Sequence, residues 1–189
     1  MSGEIEIKGV AVRTFFEVMR DRLPELSNVS YALRSELPAR EREALHDPVL
    51  AATWYPIAVY RELHAAAQRI AKGGSELSRQ IGRDGVARDF QGVYRLLAGA
   101  LQPHWLISWA PRMQERYFRG GTLIVTEARK GFACGKWTGC AGFDKNLWLD
   151  MIGSAEAALE ACGATHVRHR IVEGGGDGDA NATVEMRWL

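Results

Sequence analysis

The chain is organised around the stretch from Pro103 to Gly121, before which it reads mainly as helices and after which strands begin. Before it, apolar residues return every three or four positions, the spacing of amphipathic helices. After it come segments where they alternate, the spacing of half-buried strands, with one helical segment between them. Within the stretch, Trp105, Leu106, Trp109, Met113 and Tyr117 recur at helical spacing. Pro103 suits a first helical turn, where its missing N–H is not needed. Pro111 disfavours α geometry at Ala110, which predicts a kink or a restart. Gly120-Gly121 ends the segment, and Leu123-Ile124-Val125 opens a strand.

Ahead of this divide, Ile5 and Ile7 alternate with charged residues as a short lead-in strand. From Lys8, the residues Val12, Phe15, Phe16, Met19 and Leu23 make one apolar helical face. Shorter helices are expected around 26–37 and 38–45. Pro56 marks the first turn of a stronger helix with Val59, Leu63, Ala67 and Ile70 on one side, ended by Lys72-Gly73-Gly74. Ser75 is expected to cap the next helix. Gly82 and Gly85 weaken that helix by about 1 kcal/mol each relative to alanine. They fit either a bend or a close helix–helix contact. Phe90, Val93, Tyr94 and Leu97 resume its apolar face.

Beyond the divide, 122–128 and 132–137 read as strands of one hairpin. Asp144 is the predicted N-cap of a helix with Trp148, Met151, Ile152, Ala155, Leu159 and Cys162 on one face, stopped by Gly163. Residues 166–172 and 182–188 form a second hairpin. Val167, His169 and Ile171 share one face of its first strand, and Ala182, Val184, Met186 and Trp188 share one face of its second. On the wet face, Arg168 or Arg170 is expected opposite Glu185. The predicted fold is therefore α+β: N-terminal helices packed with an antiparallel four-stranded sheet made of two hairpins separated by one helix. The helix at 144–162 covers the sheet. Residues 1–189 are expected to form a single domain, with a helical part at about 8–118 and a hairpin-helix-hairpin part at about 121–189.

Composition narrows the class. An apolar fraction of 47% and a charged fraction of 25% are those of an ordinary globular protein. A net charge of +1 gives no global field for nucleic acid or acidic lipid. Cys134, Cys140 and Cys162 are an odd set with no disulfide framework, which fits a cytoplasmic location. Residues 1–20 do not read as a signal peptide, and no membrane span is expected.

Several short motifs share an order that is informative. Lys8-Gly9-Val10 leads into a helix, followed by Trp54-Tyr55-Pro56 and Gly92-Val93-Tyr94-Arg95. Pro111-Arg112 then comes with Tyr117 and Gly121, and a terminal strand ends in Arg187-Trp188. Across nearly the whole chain, this series resembles a myxobacterial paralogous family. That family is distantly similar to the 4-vinyl-reductase-type domain, the haem-NO-binding domain and the Bet-type subunits of the TRAPP vesicle-tethering complex. The resemblance implies helices against a four-stranded antiparallel sheet. It also implies a domain that binds a small or hydrophobic ligand between the two, or a dimeric scaffold. Vinyl-reductase-type domains often carry metal-holding cysteines around the last hairpin, and the hairpin 173–181 here has none.

The chemistry-bearing residues favour binding over catalysis. Asp177, Asp179 and Asn181 copy the first ligands of a calcium loop, but Ala182 and Trp188 stand where its glycine and glutamate belong, so a glycine-rich turn is expected. Cys134 and Cys140 lack knuckle spacing, and His166 and His169 point to opposite faces of a strand, so no zinc site is expected. His169 is read as a hydrogen-bonded core histidine. His104 reads as a residue of a helix start rather than a haem ligand, since Tyr117-Phe118-Arg119 lacks the alternating tyrosine, serine and arginine of haem-NO-binding domains. No GxSxG is present, and Gly73-Gly74-Ser75-Glu76 lacks the Lys-Ser/Thr ending of a phosphate loop. Arg112, Arg116 and Arg119 read as a solvated basic face.

The expected function is a non-enzymatic sensing or interaction domain, without cofactor, that takes a small hydrophobic ligand lined by Trp54, Tyr55, Tyr94, Trp105 and Trp109. A homodimer or a protein partner is expected, and nucleic acid is not. The alternative is a protein–protein scaffold that uses an exposed aromatic helix face without ligand.

Overall fold

The computed structural model describes residues 4–91 and 101–189. Strand β1 (Glu6–Lys8) leads into helix α1 (Gly9–Arg22), which buries Val12, Phe15, Phe16 and Met19, the predicted face. Helix α2 (Val29–Ser35) is capped by Asn28, whose side chain accepts the Tyr31 N–H at 2.9 Å. Helix α3 (Ala39–Ala44) buries none of its residues. Helix α4 (Ile57–Ala71) stops at Lys72, which takes the left-handed conformation at φ 54° and donates its N–H to the Gln68 carbonyl at 2.8 Å. The predicted glycine stop therefore falls one residue early. Helix α5 (Gly74–Gln91) contains Ser75 in its first turn, where the sequence suggested a cap.

Two strands escape the sequence pattern. β2 (Trp54–Pro56) and β3 (Phe118–Arg119) both pair antiparallel with β1, in the order β2-β1-β3. They are too short to show alternation. Pro56 ends β2 and directly precedes α4, so it marks the strand–helix junction rather than the helix's first turn.

The predicted four-stranded sheet is present. Its strands are β4 (Thr122–Arg129), β5 (Phe132–Thr138), β6 (Arg168–Gly174) and β7 (Ala182–Arg187), antiparallel in the order β4-β5-β7-β6. The fold is α+β. The registers Leu123↔Trp137↔Ala182 and Ala133↔Met186 align an apolar face, and Arg170 lies opposite Glu185 at 3.0 Å on the other. β6 begins two residues later than predicted, after His166 in a left-handed conformation.

Helix α6 (Pro103–Ser108) and helix α7 (Ala110–Tyr117) meet at Trp109, the kink expected from Pro111. Helix α8 (Lys145–Ala161) is capped by Asp144, which accepts the Leu147 N–H at 2.9 Å. It is a middle layer more than a lid. One side touches the sheet, where Trp148 and Trp137 meet edge-on at 6.5 Å between ring centroids. The other side lies directly on α5. That contact answers the question posed by the glycines. α5 runs unbroken, and a Cβ at Gly82 would sit 2.0 Å from the Asp150 carbonyl oxygen. A Cβ at Gly153 would sit 1.9 Å from the Arg79 carbonyl oxygen. The helices touch backbone to backbone, which only glycine permits. One continuous hydrophobic cluster runs from Ile5 through the helices to Trp188 in the sheet region.

Candidate functional site

The α6–α7 segment joins the two halves of the chain and packs on β4, β5 and α8. Its inner side buries Ile107 and Gln114. Its outer side carries Trp105, Trp109 and Met113, which are 59%, 59% and 44% exposed, and Leu101 just ahead of it is 37% exposed. The Arg112 guanidinium lies 5.8 Å from the Trp109 ring centroid.

The five aromatic candidates occupy different settings. Trp54 on β2 is half-buried between two cations, Lys8 Nζ at 4.4 Å and Arg119 Cζ at 4.3 Å from its ring centroid. Tyr55 is buried, and its hydroxyl accepts the Leu50 N–H at 3.0 Å and meets His46 Nδ1 at 3.2 Å. Trp105 and Trp109 stand on the surface one turn apart. Tyr94 lies outside the described residues.

Three buried N–H donors have no acceptor among the described residues: Nε2 of Gln114, Nε1 of Trp137 and Nε1 of Trp148. They belong to α7, β5 and α8, and Trp148 also packs on Phe143 at 4.8 Å between centroids.

A second polar group fills the helical core, and the sequence pattern gave no warning of it. Gln68 Nε2 donates to Asn146 Oδ1 at 2.6 Å and to Ser78 Oγ at 3.1 Å. Ser78 Oγ also meets His64 Nδ1 at 3.0 Å. His64 Nε2 faces Asp150 Oδ1 at 3.7 Å, too long for a hydrogen bond, and both atoms lack a partner. Tyr60 donates to Asp150 Oδ2 at 3.3 Å. Burial lowers the His64 pKa to about 3 and raises that of Asp150 to about 7. His64 thus stabilises the fold above its ordinary 6.5, and that contribution is lost as pH falls from there towards 3. Asp150 works the other way: its contribution is complete below 3.8 and is lost as pH rises towards 7. Ser78, His64 and Asp150 have the composition of a hydrolytic triad. Ser78 and His64 are wholly buried, so no substrate reaches the hydroxyl.

Glu156 of α8 is the third buried polar centre. Its carboxylate takes hydrogen bonds from Arg79 and from Arg83 at 2.9 Å, and meets His169 Nδ1 at 2.7 Å. His169 is thus the hydrogen-bonded histidine the sequence suggested. In the last hairpin, Asp177, Asp179 and Asn181 accept the backbone N–H groups of Lys145, Gly176 and Gly139 at 2.9, 2.9 and 3.1 Å. They brace a turn beside a cleft of about 360 Å³ lined by Lys136, Thr138, Glu173 and Thr183. Among the described residues no three metal-ligating side chains converge, and no helix is long and apolar enough to cross a membrane.

No protein-family model and no curated protein matches the chain. Solved structures do. An unliganded Fe(II) H-NOX protein from K. algicida aligns over 97% of both chains, with a TM-score of 0.70 and 9% identity. An oxygen-binding H-NOX domain related to soluble guanylate cyclases aligns over 96% of this chain and 95% of its own, at 0.66 and 13%. A point mutant of the T. tengcongensis H-NOX aligns over 96% and 97%, at 0.66 and 15%. The chain has the H-NOX fold.

That fold raises the question of haem, which needs an axial ligand for iron and partners for two propionates. Of the histidines, His46, His64 and His169 are engaged and His166 sits exposed before β6. His104 on α6 is half-buried beside the Trp105 ring and supplies an imidazole. Among the described residues the propionates find no counterpart. The sheet's inner face is apolar, with Leu123, Ala133, Trp137, Ala182, Val184 and Met186 buried. Arg112 and Arg116 face solvent, and Arg119 lies on Trp54. The described residues do not fit haem.

Proposed function

We propose that the chain is a non-enzymatic sensing domain, residues 1–189 acting as one unit, that holds a small hydrophobic molecule other than haem between its helices and its four-stranded sheet. The observation that carries this reading is the set of unmet donors on Gln114, Trp137 and Trp148. A buried donor left without an acceptor costs about 1–3 kcal/mol. All three are donors, so a largely apolar molecule that presents a carbonyl, ether or carboxylate oxygen recovers part of that cost. The oxygen-binding neighbour supports a small-ligand role by analogy of fold alone. Trp54, Tyr55 and Tyr94 stay as proposed wall residues. Trp105 and Trp109 belong to the outer side of the same segment as Gln114, and we assign them to reporting the bound state outward.

Native mass spectrometry of protein purified without added ligand tests the reading. The expected result is a population heavier than the bare chain by one organic molecule, with no Soret band in the absorption spectrum. Gln114→Leu should reduce that population several-fold. A bare mass throughout would overturn ligand binding, and a Soret band with the mass of haem would overturn the haem-free assignment.

A further inference from the structure

Trp105 on α6, Trp109 at the junction and Met113 on α7 are spaced by four residues, Leu101 lies just ahead of α6, and each is exposed. Large side chains at i±4 form a ridge, and such ridges pack into the grooves of another helix. We propose that this ridge docks an amphipathic helix of a partner protein whose apolar stripe is flanked by carboxylates. The proposal deepens the sensing reading by naming the chemistry of its output partner.

The border of the ridge selects the occupant. Arg112 and Arg116 are exposed and have no carboxylate partner among the described residues. Some surface arginines are paired, such as Arg22 with Asp84 at 2.7 Å and Arg69 with Glu36 at 3.0 Å, and others such as Arg13, Arg20 and Arg40 are exposed as well, so what distinguishes Arg112 and Arg116 is their place beside the exposed tryptophans. Arg112 rests on the face of Trp109, so a partner meets ring and charge together, and tryptophan and arginine are the residue types that dominate interface energies. Glu115 is two positions from Met113 and so lies off the ridge.

Two other occupants fit less well. A bilayer would draw the Arg112 guanidinium into the acyl layer with the ring beneath it. The net charge of +1 offers no wider attraction to anionic lipid. A second copy docking through the same patch would bring Arg112 and Arg116 against their own counterparts.

The test places a photoreactive p-benzoylphenylalanine at position 105 or 109 of the full chain, in the cells that encode it, and sequences the cross-linked peptide by mass spectrometry. The expected product is one protein partner, joined through a segment with apolar residues every three or four positions and Asp or Glu beside them. Its yield should fall at least tenfold with Arg112→Glu and Arg116→Glu together, and several-fold with Arg112→Gln and Arg116→Gln, while circular dichroism stays unchanged. A lipid adduct, a second copy of this chain, a segment without acidic residues, a yield indifferent to these changes, or no product would each overturn the proposal. Loss of the bound molecule in native spectra, with the cross-link intact, would sink only the ligand reading.

Discussion

Gly153→Val is expected to leave the chain largely unfolded at room temperature. At this position a Cβ would lie 1.9 Å from the carbonyl oxygen of Arg79, and at the reciprocal Gly82 it would lie 2.0 Å from that of Asp150. The obstacle is helix backbone, which cannot rotate out of the way as a side chain can. α5 and α8 must separate, and the separation pulls on every bond between them, including the contacts of Arg79 and Arg83 with Glu156 and the 3.3 Å bond from Ser154 Oγ to the Gly82 carbonyl. Overpacking costs about 1–3 kcal/mol when neighbours yield, and more when they cannot. For a domain stable by about 5–15 kcal/mol, a cost above about 4 consumes much of the total. Gly153→Ala should follow in the same direction with a smaller loss. Gly85→Ala is the internal control: its Cβ would meet only the Thr14 methyl, at 3.3 Å, and alanine's better helix propensity offsets the crowding. Urea midpoints read by circular dichroism should therefore fall steeply for Gly153 and hardly move for Gly85.

Glu156→Ala is expected to cost about 3 kcal/mol, the range seen when one member of a buried charge cluster is removed. The carboxylate is buried, and the substitution removes the partner of His169 and one of the two carboxylates held by Arg79 and by Arg83, which keep Glu76 and Glu160. It also predicts an acid signature. Burial alone would raise the Glu156 pKa, but the hydrogen bonds from His169 and Arg83 and the charge of Arg79 outweigh it and hold the group below its ordinary 4.5. A depressed carboxyl contributes its stability above the unfolded value and loses it as pH falls through the folded one. Wild-type stability should therefore drop below about pH 4.5, and Glu156→Gln should flatten that drop while lowering stability at neutral pH. Melting temperatures recorded between pH 7 and pH 3 would show both effects.

Much of the architecture was legible because long amphipathic elements announce their period. α1, α4, α8 and both hairpins of the large sheet follow from spacing, the Asp144 cap from its side-chain acceptor and the break near Pro111 from the proline ring. β2 and β3 were not, since strands of three and two residues are held by their neighbour β1 rather than by any pattern of their own. The glycines of α5 could be recognised as unusual but not interpreted, because the reason for Gly82 lies in the distant residue Asp150.

The site was harder to read. Tryptophans at helical spacing suggest a buried stripe, yet Trp105 and Trp109 form the outer side of α6–α7, while Ile107 and Gln114 turn inward. Hydrophobicity ranked the faces in the wrong order. The buried polar centres left a fainter trace. His64 stands one turn from Tyr60, and Glu156 between Ile152 and Leu159, at positions that the helical period reserves for the core. A polar side chain at such a position is the signal that pattern reading passed over.

The proposed ligand space, the proposed docking ridge and the α5–α8 lock all depend on the helical part and the sheet part sharing one interior. Equilibrium urea unfolding tests that directly, followed at once by far-ultraviolet circular dichroism for the helices and by tryptophan fluorescence, to which Trp137 and Trp148 contribute from between sheet and helix. A single transition with the same midpoint in both signals is expected. Two transitions with separate midpoints would mean that the halves fold on their own cores, and would contradict the account.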